Sequence, residues 1–154
     1  MLFHLSGRGL FFYLSWRHMV LVNACRSRSQ AKDTEHVRLL AERIDFSLGL
    51  SQRDGTPFAI LFLDLDRFKQ INDSLGHMFG DRVLVDVAER LKGCLRQADT
   101  ASRLGGDEFV LLLHQADARG AEITARRVLE ALSEPYSLDE MSFTLTASIG
   151  IALY

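Results

Sequence analysis

The chain has 154 residues, of which 47% are hydrophobic and 25% are charged, so it can form one domain with a buried core. Its formal net charge of −2 excludes a broad positive field for nucleic acid, and a nucleotide ligand would have to be held by local groups and metal ions. Cys25 and Cys94 stand alone, without CxxC or Cys/His spacing, so neither a zinc site nor a disulfide framework is indicated, which fits a reducing cytoplasm.

Residues 1–32 are interpreted as a leader of uncertain structure. Residues 1–24 are rich in Leu, Phe, Val and Trp, but their apolar patches flank Arg17 and His18. A bilayer requires about 20 apolar residues and a central arginine costs about 2.5–3.5 kcal/mol, so this segment is a poor transmembrane helix. No small-residue cleavage site follows, which argues against a signal peptide. Membrane association, an amphipathic helix and a disordered leader stay open, and a cytoplasmic location is favoured.

Residues 33–154 are interpreted as one domain that opens with a helix. Asp33 or Thr34 can cap the helix, because both side chains accept hydrogen bonds from free main-chain N–H groups. Apolar residues recur at helical spacing along one face. This face consists of Val37, Leu40, Ala41, Ile44 and Leu48.

An apolar run over residues 58–63 predicts a buried strand with carboxylates at its C-terminal end. Asp64 and Asp66 follow, and the alternating geometry of a strand directs both side chains to the same side. Like charges this close are unfavourable unless a cation or a basic side chain offsets them. A metal ion and Lys69 are the alternative partners.

The remaining residues predict two helices and two hairpins. Residues 81–95 and 118–132 carry apolar side chains at helical spacing, and Cys94 in the first of these helices is predicted to be a buried apolar residue. His77 is placed in a glycine-rich loop before that helix. The strand candidates of the first hairpin are residues 100–104 and 109–113.

The second hairpin begins with a short strand that Asp139 and Glu140 separate from residues 142–153, which are predicted to form one inner strand. The order helix, strand, helices, hairpin, helix, hairpin predicts an α+β domain. Its helices are expected on one face of a largely antiparallel sheet.

The turn of the first hairpin contains Gly105, Gly106, Asp107 and Glu108. Glycine permits positive φ angles and lets a bulky ligand approach the main chain, which suits a phosphate-binding turn. The carboxylates offer the hard oxygen atoms that Mg²⁺ prefers. An ordinary solvated turn is the alternative interpretation.

These motifs together, in this order and at this separation, resemble the GGDEF domain of bacterial diguanylate cyclases over residues 54–154. The segments that carry the resemblance are the strand ending at Asp64, residues 72–81, the Gly-Gly-Asp-Glu-Phe turn of residues 105–109 and the Ser-Ile-Gly-Ile-Ala run of residues 148–152. The resemblance implies a ferredoxin-like nucleotidyl cyclase palm with helices packed on a mostly antiparallel sheet. It also implies that two GTP molecules are condensed into cyclic di-GMP by a transient homodimer, with Mg²⁺ or Mn²⁺ as the cofactor.

The resemblance assigns metal and catalytic roles residue by residue. Asp64, the main-chain carbonyl of Leu65 and Asp107 would hold Mg²⁺ on the triphosphate, and Glu108 would complete the acidic cluster. Either Asp107 or Glu108 would take the proton from the ribose 3′-hydroxyl.

The substrate-binding residues implied by the resemblance lie on both sides of the acidic strand. Asn72 and Asp81 would bind the guanine base, and Lys69 would face the phosphates. For His77 a role at a helix end is the alternative to a ligand contact. The full set is Lys69, Asn72, His77, Asp81, Gly105 and Gly106.

A further constellation resembles the product-inhibition site of the family. Arg96 and Asp99 form an Arg-x-x-Asp pattern at a constant distance before Gly105, and the resemblance assigns arginine to a guanine face or phosphate and aspartate to the guanine edge. The alternative is structural, with Arg96 at a helix end and Asp99 as a cap.

The chain departs from the family pattern at both ends. Residues 24–35 lack the usual Asp-x-Leu-Thr-Gly-Leu-x-Asn-Arg segment, and the family's later helix with its Ala-Lys and Gly-Arg-Asn signature is not found. Loss of that helix is expected to expose apolar sheet surface and to remove cations that contact the phosphates. A truncated, weakly active or inactive GTP- or cyclic di-GMP-binding module is therefore the alternative function. A palm-type polymerase fragment is not favoured, because no basic face is present.

Overall fold

The structure is a computed structural model that describes residues 2–6 and 34–154. The predictions made for residues 7–33, including membrane association, lie outside these ranges. The helices are α1 (Thr34–Asp54), α2 (Phe68–Leu75), α3 (His77–Cys94) and α4 (Ala118–Ser133). The strands are β1 (Leu2–Ser6), β2 (Phe58–Leu65), β3 (Thr100–Gly105), β4 (Glu108–His114), β5 (Tyr136–Leu138), β6 (Met141–Phe143) and β7 (Ala147–Leu153).

The main sheet has five strands in the order β1-β7-β2-β4-β3, and each neighbouring pair is antiparallel. The helices α2 and α3 connect β2 to β3, and α4 connects β4 to β7. These crossovers place β4 between β2 and β3, and β2 between β4 and β7, which is the ferredoxin-like arrangement. The predicted α+β palm with a mostly antiparallel sheet is confirmed. None of the helices within residues 34–154 is long and apolar enough to cross a membrane.

The larger core lies between one face of the sheet and the helices α3 and α4. Alternate residues of β2, such as Leu61 and Leu63, point into it, and Val87 of α3 and Val128 of α4 meet them. The helix α4 is capped by Asp117, whose side chain accepts a hydrogen bond of 2.7 Å from the N–H of Gly120.

The opposite face of the sheet is covered by α1, so the expectation of helices on one face only is wrong. Leu40 and Ile44 of α1 pack against the other alternate residues of the central strands, including Ile60 and Leu112. The central strands are apolar on both faces, and each face therefore requires its own cover. A strand that is apolar on both faces does not indicate on which face of the sheet a helix packs.

Two local predictions also differ from the structure. His77, expected in a glycine-rich loop before the helix of residues 81–95, is instead the first residue of α3, and α2 and α3 meet at Gly76 with φ 86°. The predicted strand over residues 142–153 is broken at residues 144–146. The reason is that β6 pairs with β5 in a separate hairpin, whereas β7 joins β2 in the main sheet.

The β5–β6 hairpin is attached to the helices through Arg90 of α3. The Arg90 guanidinium lies 3.6 Å from the ring centre of Tyr136, a cation–π contact. It also donates hydrogen bonds of 2.6–2.8 Å to main-chain carbonyls at the end of α4, those of Ala131, Glu134 and Pro135. At the tip of the hairpin Asp139 and Glu140 both have positive φ angles, 49° and 63°.

Candidate functional site

The predicted acidic cluster lies at one end of the sheet, where β2, β4 and β7 meet. Asp64 of β2 is paired with Glu108 of β4 on one side and with Ser148 of β7 on the other. Residues paired across antiparallel strands point to the same face, so the Asp64 and Glu108 side chains share the face that α1 covers elsewhere. The N–H of Leu65 donates to the carbonyl of Asp107 at 3.3 Å, which joins the turn to the end of β2.

The turn between β3 and β4 is held in a shape that depends on its glycines. Gly106 has φ 56°, in the left-handed region that other residues rarely adopt, and Gly105 has φ 148°. The Arg103 side chain closes the turn by donating from Nε to the carbonyl of Gly106 at 2.9 Å. Arg103 was not predicted as a site residue, because a single arginine within a strand has no characteristic spacing. Its pairing partner across the hairpin, Phe109, is buried.

The surroundings of Asp64 change the pKa of its carboxyl group. Partial burial, followed by the negative charges of Asp107, Glu108 and Asp66, raises the pKa of Asp64 above its ordinary value. Every charged group in this set is acidic, and the predicted basic partner Lys69 is exposed on α2. Charge balance at this end of the sheet therefore favours a bound cation over a lysine.

Asp66 is engaged in the structure itself. Its carboxylate accepts hydrogen bonds from Thr146 Oγ1 at 2.7 Å and Ser148 Oγ at 3.0 Å. Its N–H donates to the carbonyl of Thr146 at 2.9 Å. Asp66 thus ties the end of β2 to the start of β7, whereas the Asp64 side chain is exposed.

The acidic side chains are not gathered into a ready-made metal cage. Within residues 2–6 and 34–154, no three His, Cys, Asp or Glu side chains are arranged so that they could together hold a metal ion. Mg²⁺ is commonly bound through one or two carboxylates completed by water and substrate phosphates. The donor set at Asp64, Asp107 and Glu108 fits that mode of binding.

The predicted base-binding residues lie on α2 and α3. Asn72 is half-buried on α2 and contacts α3 at Gly80, which is buried. Asp81 follows Gly80 and is exposed. His77 is the first residue of α3 and is also exposed, so the structure places it at a helix end.

A groove of about 660 Å³ runs between α3 and β3 and connects several predicted residues. Asp81 lies in one of its walls, and Arg96 and Asp99 lie in the segment that joins α3 to β3. Arg103 and Lys92 add positive charge. The hydroxyl of Ser102 is buried beside the groove and has no hydrogen-bond partner among the residues that the structure describes.

Asp99 has a structural role that the sequence left as an alternative. Its Oδ2 accepts from the N–H of Arg96 at 2.9 Å, and its Oδ1 accepts from the N–H of His114 at 3.1 Å. The carboxylate therefore holds the loop before β3 against the end of β4. Arg96 is exposed and lines the same groove.

Three apolar residues near the site pack in the core, and for Cys94 this confirms the prediction. Phe68 and Phe109 are each 4% exposed in the main core, and Cys94 is 5% exposed. Burial raises the pKa of the Cys94 thiol, with a smaller opposing effect of the Arg127 charge. The thiol is therefore an apolar core group rather than a nucleophile.

The sequence and the structure of this chain are similar to those of known proteins. A sequence model of the family described as "Diguanylate cyclase, GGDEF domain" matches residues 37–154. The chain is 44% identical over 116 residues to the bifunctional diguanylate cyclase/cyclic di-GMP phosphodiesterase MucR of Pseudomonas aeruginosa, which covers 75% of this chain and 17% of MucR. The chain thus spans less than a quarter of that relative.

Solved structures give the same result for the fold. The GGDEF domain of TpbB from Pseudomonas aeruginosa aligns with a TM-score of 0.74 at 40% identity, covering 76% of this chain and 74% of that one. The GGDEF domain of DgcB from Caulobacter crescentus, solved in complex with cyclic di-GMP, aligns with a TM-score of 0.71 at 25% identity, covering 76% of this chain and 71% of that one.

Proposed function

Starting from the fact that this chain belongs to the diguanylate cyclase GGDEF domain family, we propose that it condenses two GTP molecules into cyclic di-GMP with Mg²⁺ or Mn²⁺. The observation that carries the proposal is the pairing of Asp64 with Glu108 beside the turn of Asp107. The proposal is supported because this pairing brings two carboxylates together at one end of the sheet. Partial burial and then the neighbouring negative charges raise the pKa of Asp64, and a divalent cation bound there would offset both effects.

The metal ions would be held by Asp64, the carbonyl of Leu65, Asp107 and Glu108. Bound there, they would neutralise charge on the triphosphate of GTP. Asp107 or Glu108 takes the proton of the ribose 3′-hydroxyl. The 3′-oxygen then forms a bond to the α-phosphorus of the second GTP while the bond to pyrophosphate breaks, and repetition on the other side closes the ring.

The substrate is positioned by groups on both sides of the acidic end. Main-chain N–H groups at Gly105 and Gly106 can approach the phosphates closely because neither residue carries a Cβ. Lys69 supplies positive charge from α2, whereas Asn72, Asp81 and His77 lie at the junction of α2 and α3 and would meet the guanine base.

A single site holds one GTP, so the reaction requires a second copy of the domain facing the first. We therefore propose a homodimer that forms during catalysis. Because GTP is the substrate, we expect the domain to work in the cytoplasm.

The test is incubation of the purified chain with GTP and Mg²⁺, with cyclic di-GMP measured by chromatography. The double variant Asp107→Asn/Glu108→Gln keeps the shape of the turn but removes both charges, and we expect at least a hundredfold loss of turnover. Asp45→Asn, an exposed carboxylate on α1, is the matched control and should retain activity. Turnover without a divalent metal, or by the double variant, would refute the assignment.

The second candidate is a non-catalytic receptor for GTP or cyclic di-GMP. It is favoured by the groove beside Arg96 and Arg103 with its unpartnered Ser102 hydroxyl, and by the lack of a preassembled metal cage among the described residues. Nucleotide binding by calorimetry, in the absence of any turnover with Mg²⁺ or Mn²⁺, would support this function over the first.

Product inhibition through Arg96 is proposed as part of either function. Arg96→Ala should weaken cyclic di-GMP binding about 10- to 100-fold, the loss of one hydrogen bond from a charged group, with little change in GTP binding. Arg126→Ala, which removes an exposed arginine paired with Glu122 on α4, is the control. Asp99→Ala is not diagnostic, because it also removes two main-chain hydrogen bonds. Equal affinities for wild type and Arg96→Ala would exclude the site.

A further inference from the structure

The Asn72 side chain occupies the space beside Gly80 in which a Cβ would lie. A Cβ added at Gly80 would lie 1.9 Å from Asn72 Oδ1, 3.0 Å from Asn72 Cγ and 3.2 Å from Phe68 Cζ. Separations of 1.9 Å do not occur between such atoms, so the Asn72 amide occupies the space that any larger residue would fill. Gly80 is helical and has no positive φ, so its conformation does not require glycine.

This contact determines which end of the amide faces outward. Oδ1 is the Asn72 atom nearest to Gly80, so the Nδ2 amino group is turned away from α3. Within residues 34–154 the Asn72 side chain has no hydrogen-bond partner, and it is half-buried. The amide is therefore held by packing between Phe68 and Gly80, and its donor is free for a ligand.

The neighbouring residue provides a complementary group. Asp81 follows Gly80 on the first turns of α3, is exposed, and lies in a wall of the groove. A donor from Asn72 and an acceptor from Asp81 lie on adjacent parts of the helix pair. Guanine offers both an acceptor and donors along one edge, so the relative placement of these two groups decides how well it is bound.

We propose that Gly80 is a positioning residue that sets the orientation of the Asn72 amide for guanine, an inference that rests on the proposed function. Gly80 acts through Asn72 and does not itself touch the base. The lack of a Cβ lets Asn72 lie flat against α3, with Nδ2 directed toward the ligand.

The first experiment needs no nucleotide. Gly80→Ala should lower the thermal midpoint by about 3–10 °C through overpacking. In an Asn72→Ala background the same substitution should be neutral or stabilising, because the obstructing amide is gone. Gly93→Ala, on the same helix with nothing within 4 Å of the added Cβ, is the matched control and should not depend on Asn72. Equal effects of Gly80→Ala in both backgrounds would overturn the proposal.

The second experiment measures binding by titration with GTP and ATP under conditions where each variant is folded. Gly80→Ala should weaken GTP binding about tenfold and leave ATP binding unchanged, so that discrimination between the two bases falls about tenfold. Gly93→Ala should keep wild-type values. A folded Gly80→Ala variant with wild-type GTP affinity would overturn the proposal. Lack of GTP binding by the wild type would instead refute the proposed function, and the stability cycle would then decide alone whether Gly80 orients Asn72.

Discussion

Replacement of Asp64 by asparagine tests the electrostatics of the acidic end directly. The substitution preserves the size of the side chain and removes its charge. The pKa of Asp64 is raised in the folded protein, so the charged form is disfavoured there relative to the unfolded chain. A group of this kind contributes stability below its ordinary pKa of 3.8, and the contribution is lost as the pH rises through the folded value. Asp64→Asn should therefore stabilise the protein at neutral pH.

The magnitude follows from the neighbours of Asp64. Side chains paired across strands have Cβ atoms about 5 Å apart, and two unit charges at that distance in water repel by about 0.8 kcal/mol. Physiological salt lowers this to about 0.4 kcal/mol for each neighbour. With Asp107 and Glu108 contributing and the cost of partial burial added, we expect a gain of about 1 kcal/mol, or about 3 °C in the thermal midpoint.

The assay is urea denaturation of wild type and Asp64→Asn at pH 7.5 and pH 4.5, with and without millimolar Mg²⁺. The gain should be largest at pH 7.5 without metal and should shrink at pH 4.5. It should also shrink with Mg²⁺, because the metal stabilises the folded wild type more than the variant. Asp45→Asn on α1 is the control. A less stable Asp64→Asn at pH 7.5 without metal would refute the reasoning, since the carboxylate would then be a structural acceptor.

Further predictions concern the scaffold. Arg90→Ala should lower the free energy of unfolding by about 2 kcal/mol in urea titrations, because it removes the cation–π contact and three hydrogen bonds to carbonyls, whereas Arg126→Ala should cost about 0.5 kcal/mol. Glu140→Gly should raise the free energy of unfolding by about 1 kcal/mol, because Glu140 has φ 63°; an unchanged thermal midpoint would contradict this. In a Cys25→Ser background, Cys94 should react with a thiol reagent at least tenfold more slowly in the folded protein than in urea, because it is buried and its pKa is raised.

The sequence predicted those parts of the fold in which one local signal dominates. The apolar run before Asp64 and the glycine turn before Phe109 specify β2 and the hairpin, and both lie where expected. The side covered by α1 could not be predicted, because β2 is apolar on both faces and packing alone decides where the helix lies. Residues 144–146 interrupt the predicted strand because the two halves find different partners, a tertiary effect that propensity does not contain.

The junction of α2 and α3 shows why a glycine can mislead. Gly76 and Gly80 suggested a loop, and Gly76 does adopt the positive φ of a helix break. Gly80, in contrast, is helical, and its missing Cβ leaves room for the Asn72 side chain. Steric demand from another helix cannot be read from a single sequence, and the same holds for Arg103, which closes the turn between β3 and β4.

The position of β2 in the middle of the sheet has a consequence for local unfolding. This strand is paired on both sides, with β4 and β7, and its alternate residues enter both cores. Its amide hydrogens should exchange with solvent only when the whole domain opens, whereas those of α2 at the periphery should exchange through smaller openings. The carboxylate of Asp64 would then stay in place while α2 and its Asn72 open and close. Entry and exit of the guanine base that we propose for this site would then leave the acidic end of the sheet undisturbed.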